Sequence, residues 1–180
     1  MRAQLWAAVK MVLAFTVLVG LAYPLVVTGI ASFAFRGAAT GSLVKQGDPV
    51  IGSALLAQKT ESPKYFWPRP SAADFATVAS GASNKGPTSA DLVKSIAERR
   101  AKFGQDAPDE LLTASGSGLD PHLSPQAAKY QAPRVATARK ISVVKVTALI
   151  DKLTEGPQLG FLGEPRVNVL ALNLALDSAQ

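Results

Sequence analysis

MVLAFTVLVGLAYPLVVTGIASFAF, residues 11–35, lies between Lys10 and Arg36 and carries no charged side chain. As an α-helix it extends about 37 Å, against a bilayer hydrocarbon core of about 30 Å. The stretch therefore divides the chain into a short basic segment (1–10), a transmembrane helix (11–35) and a soluble remainder (36–180). A secretory signal peptide is the rival reading, because Arg2 and Lys10 form a positive n-region and Ser32-Phe33-Ala34 loosely resembles a cleavage site. The apolar core of such a peptide runs to only about 7–15 residues, so length favours an uncleaved anchor. Arg2, Lys10 and the terminal amine face Arg36 and Lys45 across the span, which points to a cytoplasmic N-terminus and an external soluble part.

Gly20, Pro24, Thr28 and Ser32 recur at every fourth position of the span, with Tyr23 beside them. Small and polar groups on one helical face suit close packing against another membrane helix, and Pro24 frees backbone carbonyls that a neighbour can satisfy. Gly20, Tyr23, Pro24 and Thr28 are accordingly the candidate interface in the membrane. A lone anchor with accidental spacing is the alternative, since small residues are common in membrane helices.

Composition narrows the chemistry of the rest. With no cysteine and one histidine, disulfides, a thiolate nucleophile and a cysteine-bearing zinc site are excluded. The net charge of +6 is spread among acidic residues and forms no phosphate-tracking strip, so nucleic acid is not an expected partner. Past Phe35 the turn-rich RGAATGSLVKQGDPVIG reads as a short connection and the first β structure. YFWPRPSAADF, residues 65–75, reads as a rigid extended segment that packs its rings on the core. Thr88-Ser89-Ala90-Asp91 resembles a capping box with Thr88 as cap, opening an amphipathic helix that Gly104 closes. A second helix is expected over Val143–Leu153. A short one opens at Ser124-Pro125 and breaks or bends at Pro133. RVNVL, residues 166–170, alternates as a strand, while LALNLALD is ambiguous between strand and helical turn. The fold class is a mixed α/β (α+β) soluble domain behind a single N-terminal transmembrane helix.

Two stretches invite a chemical reading. GASNKGPT, residues 81–88, approaches the phosphate loop GxxxxGK[ST], but Pro87 stands where the lysine belongs and Lys85 precedes the second glycine. SGSGLDPHLSP, residues 115–125, holds the lone His122 beside Asp120 and several serines. A membrane-anchored periplasmic serine hydrolase is one reading, although no serine sits in a GxSxG elbow. The other is a structural connection. In it the Asp120 carboxylate accepts the His122 amide, Ser124 caps the helix opened by Pro125, and Gly116 and Gly118 permit a tight bend.

GLAYPLVVTGIA, GSLV, YFWPRPSA, SGASNKGPTSADL, SGSGLDPHLSPQAA, QAPRVATAR and GEPRVNVLALNLALD, in this order, closely resemble the C subunit of the Kdp-type potassium-transporting ATPase nearly end to end. Ala57 and Thr60 depart from the pattern, where glycine and phenylalanine are expected. The resemblance implies a non-catalytic subunit of the bacterial inner membrane, partnered by a channel-like potassium-binding subunit and a P-type ATPase subunit. It also implies a role as catalytic chaperone, raising the pump's ATP affinity through a ternary complex with nucleotide, with no cofactor bound tightly. An external domain does not meet cytoplasmic ATP, so topology and that role pull in different directions. Within the shared motifs, Arg69, Ser71, Ser83, Asn84, Asp120, His122 and Arg134 are the candidate structural or partner-contact positions.

Overall fold

The computed structural model describes residues 1–179 and divides into two compact units, Met1–Leu43 and the chain from Val44 onward. The first unit is built on a continuous helix, Arg2–Ala34, long and apolar enough to cross a membrane. It comprises α1 (Arg2–Phe15), a π-helical stretch (Thr16–Ala22) and α2 (Tyr23–Ala34), and none of its side chains is buried. The π stretch has a local cause. Pro24 has no N–H for the Gly20 carbonyl and its ring crowds that carbonyl in an α-turn. Widening the preceding turn relieves the clash, and the Tyr23 amide reaches back to Leu18 O. A strict four-residue spacing across Gly20 and Pro24 assumes α-geometry throughout, so it describes their shared face only approximately. A one-turn helix, α3 (Arg36–Ala39), follows.

β1 (Leu43–Lys45), which starts at the last residue of the first unit, pairs with β2 (Val50–Ser53) of the second. A long irregular segment then leads to α4 (Ala90–Phe103) and the single turn α5 (Asp109–Leu112). Ser89, not Thr88, caps α4: its Oγ accepts the Leu92 amide at 3.4 Å, after a turn in which Ser89 N donates to Gly86 O. Gly104 closes the helix at φ +108, where a Cβ would meet Tyr130 Oη at 2.7 Å.

β3 (His122–Leu123) precedes α6 (Pro125–Arg139), which is longer than the proline pattern suggests. Pro133 lies inside it and does not break it. The proline and Lys129, whose carbonyl loses its partner, are both solvent-exposed, so water can satisfy that carbonyl. The opposite face, Ala127, Ala128, Ala132, Val135 and Ala136, is fully buried. Small side chains there let α6 lie close to α7 (Val143–Leu153), its principal neighbour.

β4 (Thr154–Glu155) and β3 flank β5 (Arg166–Asn168) in an antiparallel sheet of order β3-β5-β4, with Leu123 and Thr154 both opposite Val167. The strand expected over 166–170 stops at Asn168, and the ambiguous stretch is helical: α8 covers Val169–Ser178. Asn168 decides this by capping, its Oδ1 accepting the Ala171 amide at 3.0 Å. Phe66, Leu111, Leu123, Val146, Ile150, Val167 and Leu172 form one core.

Candidate functional site

Residues 63–67 are irregular yet buried at Phe66, and their backbone is held by side chains. Asn173 of α8 exchanges two hydrogen bonds with the Phe66 backbone, accepting at 2.8 Å and donating at 3.1 Å. Gln131 of α6 does the same for Trp67 at 3.0 and 2.9 Å. These amides replace the missing strand partner and satisfy peptide groups that burial would otherwise penalise. Arg134 donates to Pro63 O, Tyr65 O and Gln131 Oε1, and Arg139 donates to Lys64 O and Asp177. The Arg134 guanidinium also stacks 3.8 Å from the Trp67 ring centroid, with Lys102 Nζ 4.4 Å from the same centroid and Phe103 edge-on. Burial lowers the Arg134 pKa to about 10, which leaves it charged at neutral pH.

The shared motifs converge at the other end of this segment. Ser115 N donates to Pro70 O, and Gly118, at φ +71, leaves 3.0 Å between a hypothetical Cβ and Gly81 O and 3.2 Å to Ser71 Oγ. Three loops thus meet where a side chain would not fit. Gly116 has open space and no positive φ, so the expected need for glycine holds at 118 alone. Ser71 Oγ accepts the amides of Ala73 and Phe75, and Asp74 and Phe75 both adopt left-handed φ. Arg69 Nη1 lies 3.2 Å from Asp120 Oδ2, while Asp120 Oδ1 accepts the His122 amide at 3.0 Å. His122 Nδ1 stands 3.8 Å from the same carboxylate, beyond hydrogen-bond reach. Ser124 Oγ accepts the Ala127 amide at 3.1 Å, and Glu110 Oε1 accepts from both Ser124 N and Oγ.

The serines of residues 115–125 have these surroundings. Ser115 is 2% exposed and its Oγ has no hydrogen-bond partner among the described residues, Ser117 Oγ accepts the Leu119 amide, and Ser124 Oγ donates to Glu110 and caps the helix. The Asp120 bond to the His122 amide and the Ser124 cap are both present.

Ser83 lines a polar cleft of about 420 Å3 with Ser71, Lys85, Ser95 and Arg99. Lys85 lies 3.9 Å from Asp91, and Arg99, its pKa lowered by desolvation, donates to Leu112 O. Asn84 takes a left-handed φ of +51, which makes it a turn residue. Arg69, Ser71, Asp120 and His122 therefore gather around one junction, Ser83 borders it through the cleft, and Arg134 belongs to the Trp67 stack. Gly20, Tyr23, Pro24 and Thr28 sit in the first unit; a Cβ on Gly20 would touch only Thr16 Cγ2, at 3.9 Å. Gln131, Asn173, Arg139 and Asp177 escaped the sequence reading, whose one available signal was polar residues at inward-facing positions of helices.

Comparison with known proteins adds an independent finding. The family profile described as "K+-transporting ATPase, c chain" matches residues 5–178. A protein of Rhodospirillum rubrum named "Potassium-transporting ATPase KdpC subunit" is 53% identical over 91% of this chain and 90% of its own length. Proteins of the same name from Geobacter sulfurreducens and Beijerinckia indica are 50% and 51% identical, covering 97% and 91% of this chain and 97% and 88% of their own.

Proposed function

The chain belongs to the KdpC family, the c chain of K+-transporting ATPases, and from that premise we propose that it is a non-catalytic subunit anchored in the bacterial inner membrane. Its helix packs on a membrane helix of a larger subunit. Its outer unit, on the periplasmic side, supports assembly of the channel-like potassium-binding subunit with the P-type ATPase subunit. The observation that carries this reading is the small and polar face of the apolar helix, on which Gly20, Tyr23, Pro24 and Thr28 are all exposed. Gly20 lowers helix propensity by about 1 kcal/mol relative to alanine, yet within the first unit nothing crowds a Cβ there. Close approach of a second backbone explains it.

Gly20→Leu and Thr28→Leu should each reduce the amount of chain that co-purifies with the larger subunits in mild detergent. The expected loss is roughly 1–2 kcal/mol of association, the scale of one membrane helix contact. Gly29→Leu, about 180° from Gly20 and about 100° or more from Tyr23, Pro24 and Thr28 on an α-helix, should leave assembly intact. The reverse pattern would place the interface elsewhere.

Nucleotide, on this reading, acts at the ATPase subunit, and any ternary complex forms through that subunit. Two observations support it: the Ser71–Arg99 cleft has no aromatic ring to stack a base, and Lys85 already faces Asp91. The full-length chain in detergent should show no saturable ATP binding below about 1 mM. Tight binding abolished by Lys85→Ala would overturn this, as would protease protection of residues 36–180 in cells whose outer membrane has been opened.

A further inference from the structure

The connection from β4 to β5 is a preformed apolar knob. Gln158 and Leu162 form an antiparallel bridge, each amide donating to the other's carbonyl at 2.9 Å, so Leu159, Gly160 and Phe161 make a closed three-residue turn. Gly160 N donates to Pro157 O and Phe161 N to Gln158 O, which tightens it further. Leu159 adopts φ +54, a conformation that a branched apolar side chain rarely accepts. That backbone shape holds Leu159, Phe161 and Leu162 on the outside, 83%, 74% and 50% exposed. The base of the loop is fixed, because Thr154 and Glu155 pair with Val167 and Arg166 in the central sheet. A side chain that merely lacked room in the core would not require a strained turn closed by four backbone hydrogen bonds to present it.

We propose that the Leu159–Phe161–Leu162 knob docks into an apolar socket with a basic rim on another protein subunit of the K+-transporting ATPase complex. The proposal rests on the assembly reading above and adds which surface of the second unit makes the contact. Charge selects the occupant. Between Thr154 and Pro165 the chain has Glu155 and Glu164 and no lysine, arginine, tryptophan or tyrosine, the residues that hold a loop at a lipid headgroup surface. Glu155 is neutralised by Arg166 at 3.1 Å, whereas Glu164 has no ion-pair partner among the described residues. The knob thus presents apolar groups beside one free carboxylate. A second copy of this chain would bring two such carboxylates together across a twofold axis, which disfavours self-pairing. A preformed aromatic knob loses little freedom on binding, which suits a small contact that must still be specific.

The chain contains no cysteine, so Gln158→Cys, on the shoulder of the turn, takes a single fluorophore in the full-length protein. The labelled chain is compared alone in liposomes and assembled with the larger subunits, using aqueous iodide and nitroxide-labelled lipid as quenchers. Docking predicts iodide quenching that falls several-fold only on assembly, with no lipid quenching in either state. Phe161→Ser/Leu162→Ser in the same background should restore iodide access and lower retention in the complex about tenfold, the scale of losing an aromatic anchor. Its melting temperature as a free chain should not change, because both side chains are exposed there. Lipid quenching of the chain alone would mean membrane insertion and overturn the proposal, as would equal iodide access in both states or full retention of the double variant. Failure of the unsubstituted chain to assemble at all would defeat the parent reading, and docking with it.

Discussion

Asp177→Ala should destabilise the second unit by about 3 kcal/mol, the lower end of the cost of breaking a buried ion pair. The Arg139 side chain is 2% exposed, and its Nη2 lies 2.6 Å from Asp177 Oδ1, while its Nε donates to Lys64 O at 2.7 Å. Asp177 Oδ2 also accepts from Tyr65 Oη at 3.1 Å, and the guanidinium sits 4.8 Å from the Tyr65 ring centroid. Removing the carboxylate strands a buried cation and a phenolic donor together. Asp177 itself keeps 30% of its side-chain exposure, so water can partly replace it, which is why the lower end applies. The double change Arg139→Met/Asp177→Leu should recover part of the loss, because it removes the charge along with its partner. Denaturant titration of the full-length chain in detergent checks both. A single variant as stable as the parent would mean that Arg139 is solvated in a way its burial contradicts.

The consequence reaches the candidate site, because Lys64 and Tyr65 belong to the strip that α6 and α8 hold in place. That strip also shows where sequence reading stops. Local signals sufficed for the apolar helix, which one continuous uncharged run announces, and for the ends of α7, the Asp120 carboxylate on the His122 amide and the Ser124 cap, which depend on neighbours close in sequence. They failed by one residue at Ser89, where two adjacent hydroxyls compete for one cap. They failed at Pro133, because a proline's cost depends on whether the orphaned carbonyl faces water, and that is a tertiary fact. LALNLALD has no polar period of its own; Asn168 assigns it to a helix by capping it, after β5 has fixed where the strand ends. The amides of Gln131 and Asn173 act across 64 and 107 residues, and no spacing rule reaches that far. The motif residues at 69, 71, 81, 118 and 120 were legible one by one. Their meeting at one junction was not, because only the folded chain brings Gly81 O against Gly118.

Gly118→Ala should cost about 1–3 kcal/mol, since alanine must hold a left-handed backbone and its Cβ would crowd Gly81 O at 3.0 Å and Ser71 Oγ at 3.2 Å. The backbone oxygen cannot swing aside as a flexible side chain can, so relief has to come from separating the loops. Asp120→Ala should cost about 0.5–2 kcal/mol, the range for a lost cap. The upper part of that range is expected, because Arg69 loses its carboxylate while its Nε is already buried without a partner among the described residues. Both variants should lower the amount of assembled complex more than the rate of potassium uptake per complex. His122→Gln tests the chemical alternative directly, as glutamine cannot serve as a base but can occupy a partly exposed position. Uptake normalised to assembled complex should stay near the parent value for His122→Gln, with any loss confined to stability or assembly. A well-assembled His122→Gln complex that turns over many-fold more slowly would show that the histidine takes part in transport, and the structural account of SGSGLDPHLSP would have to be abandoned.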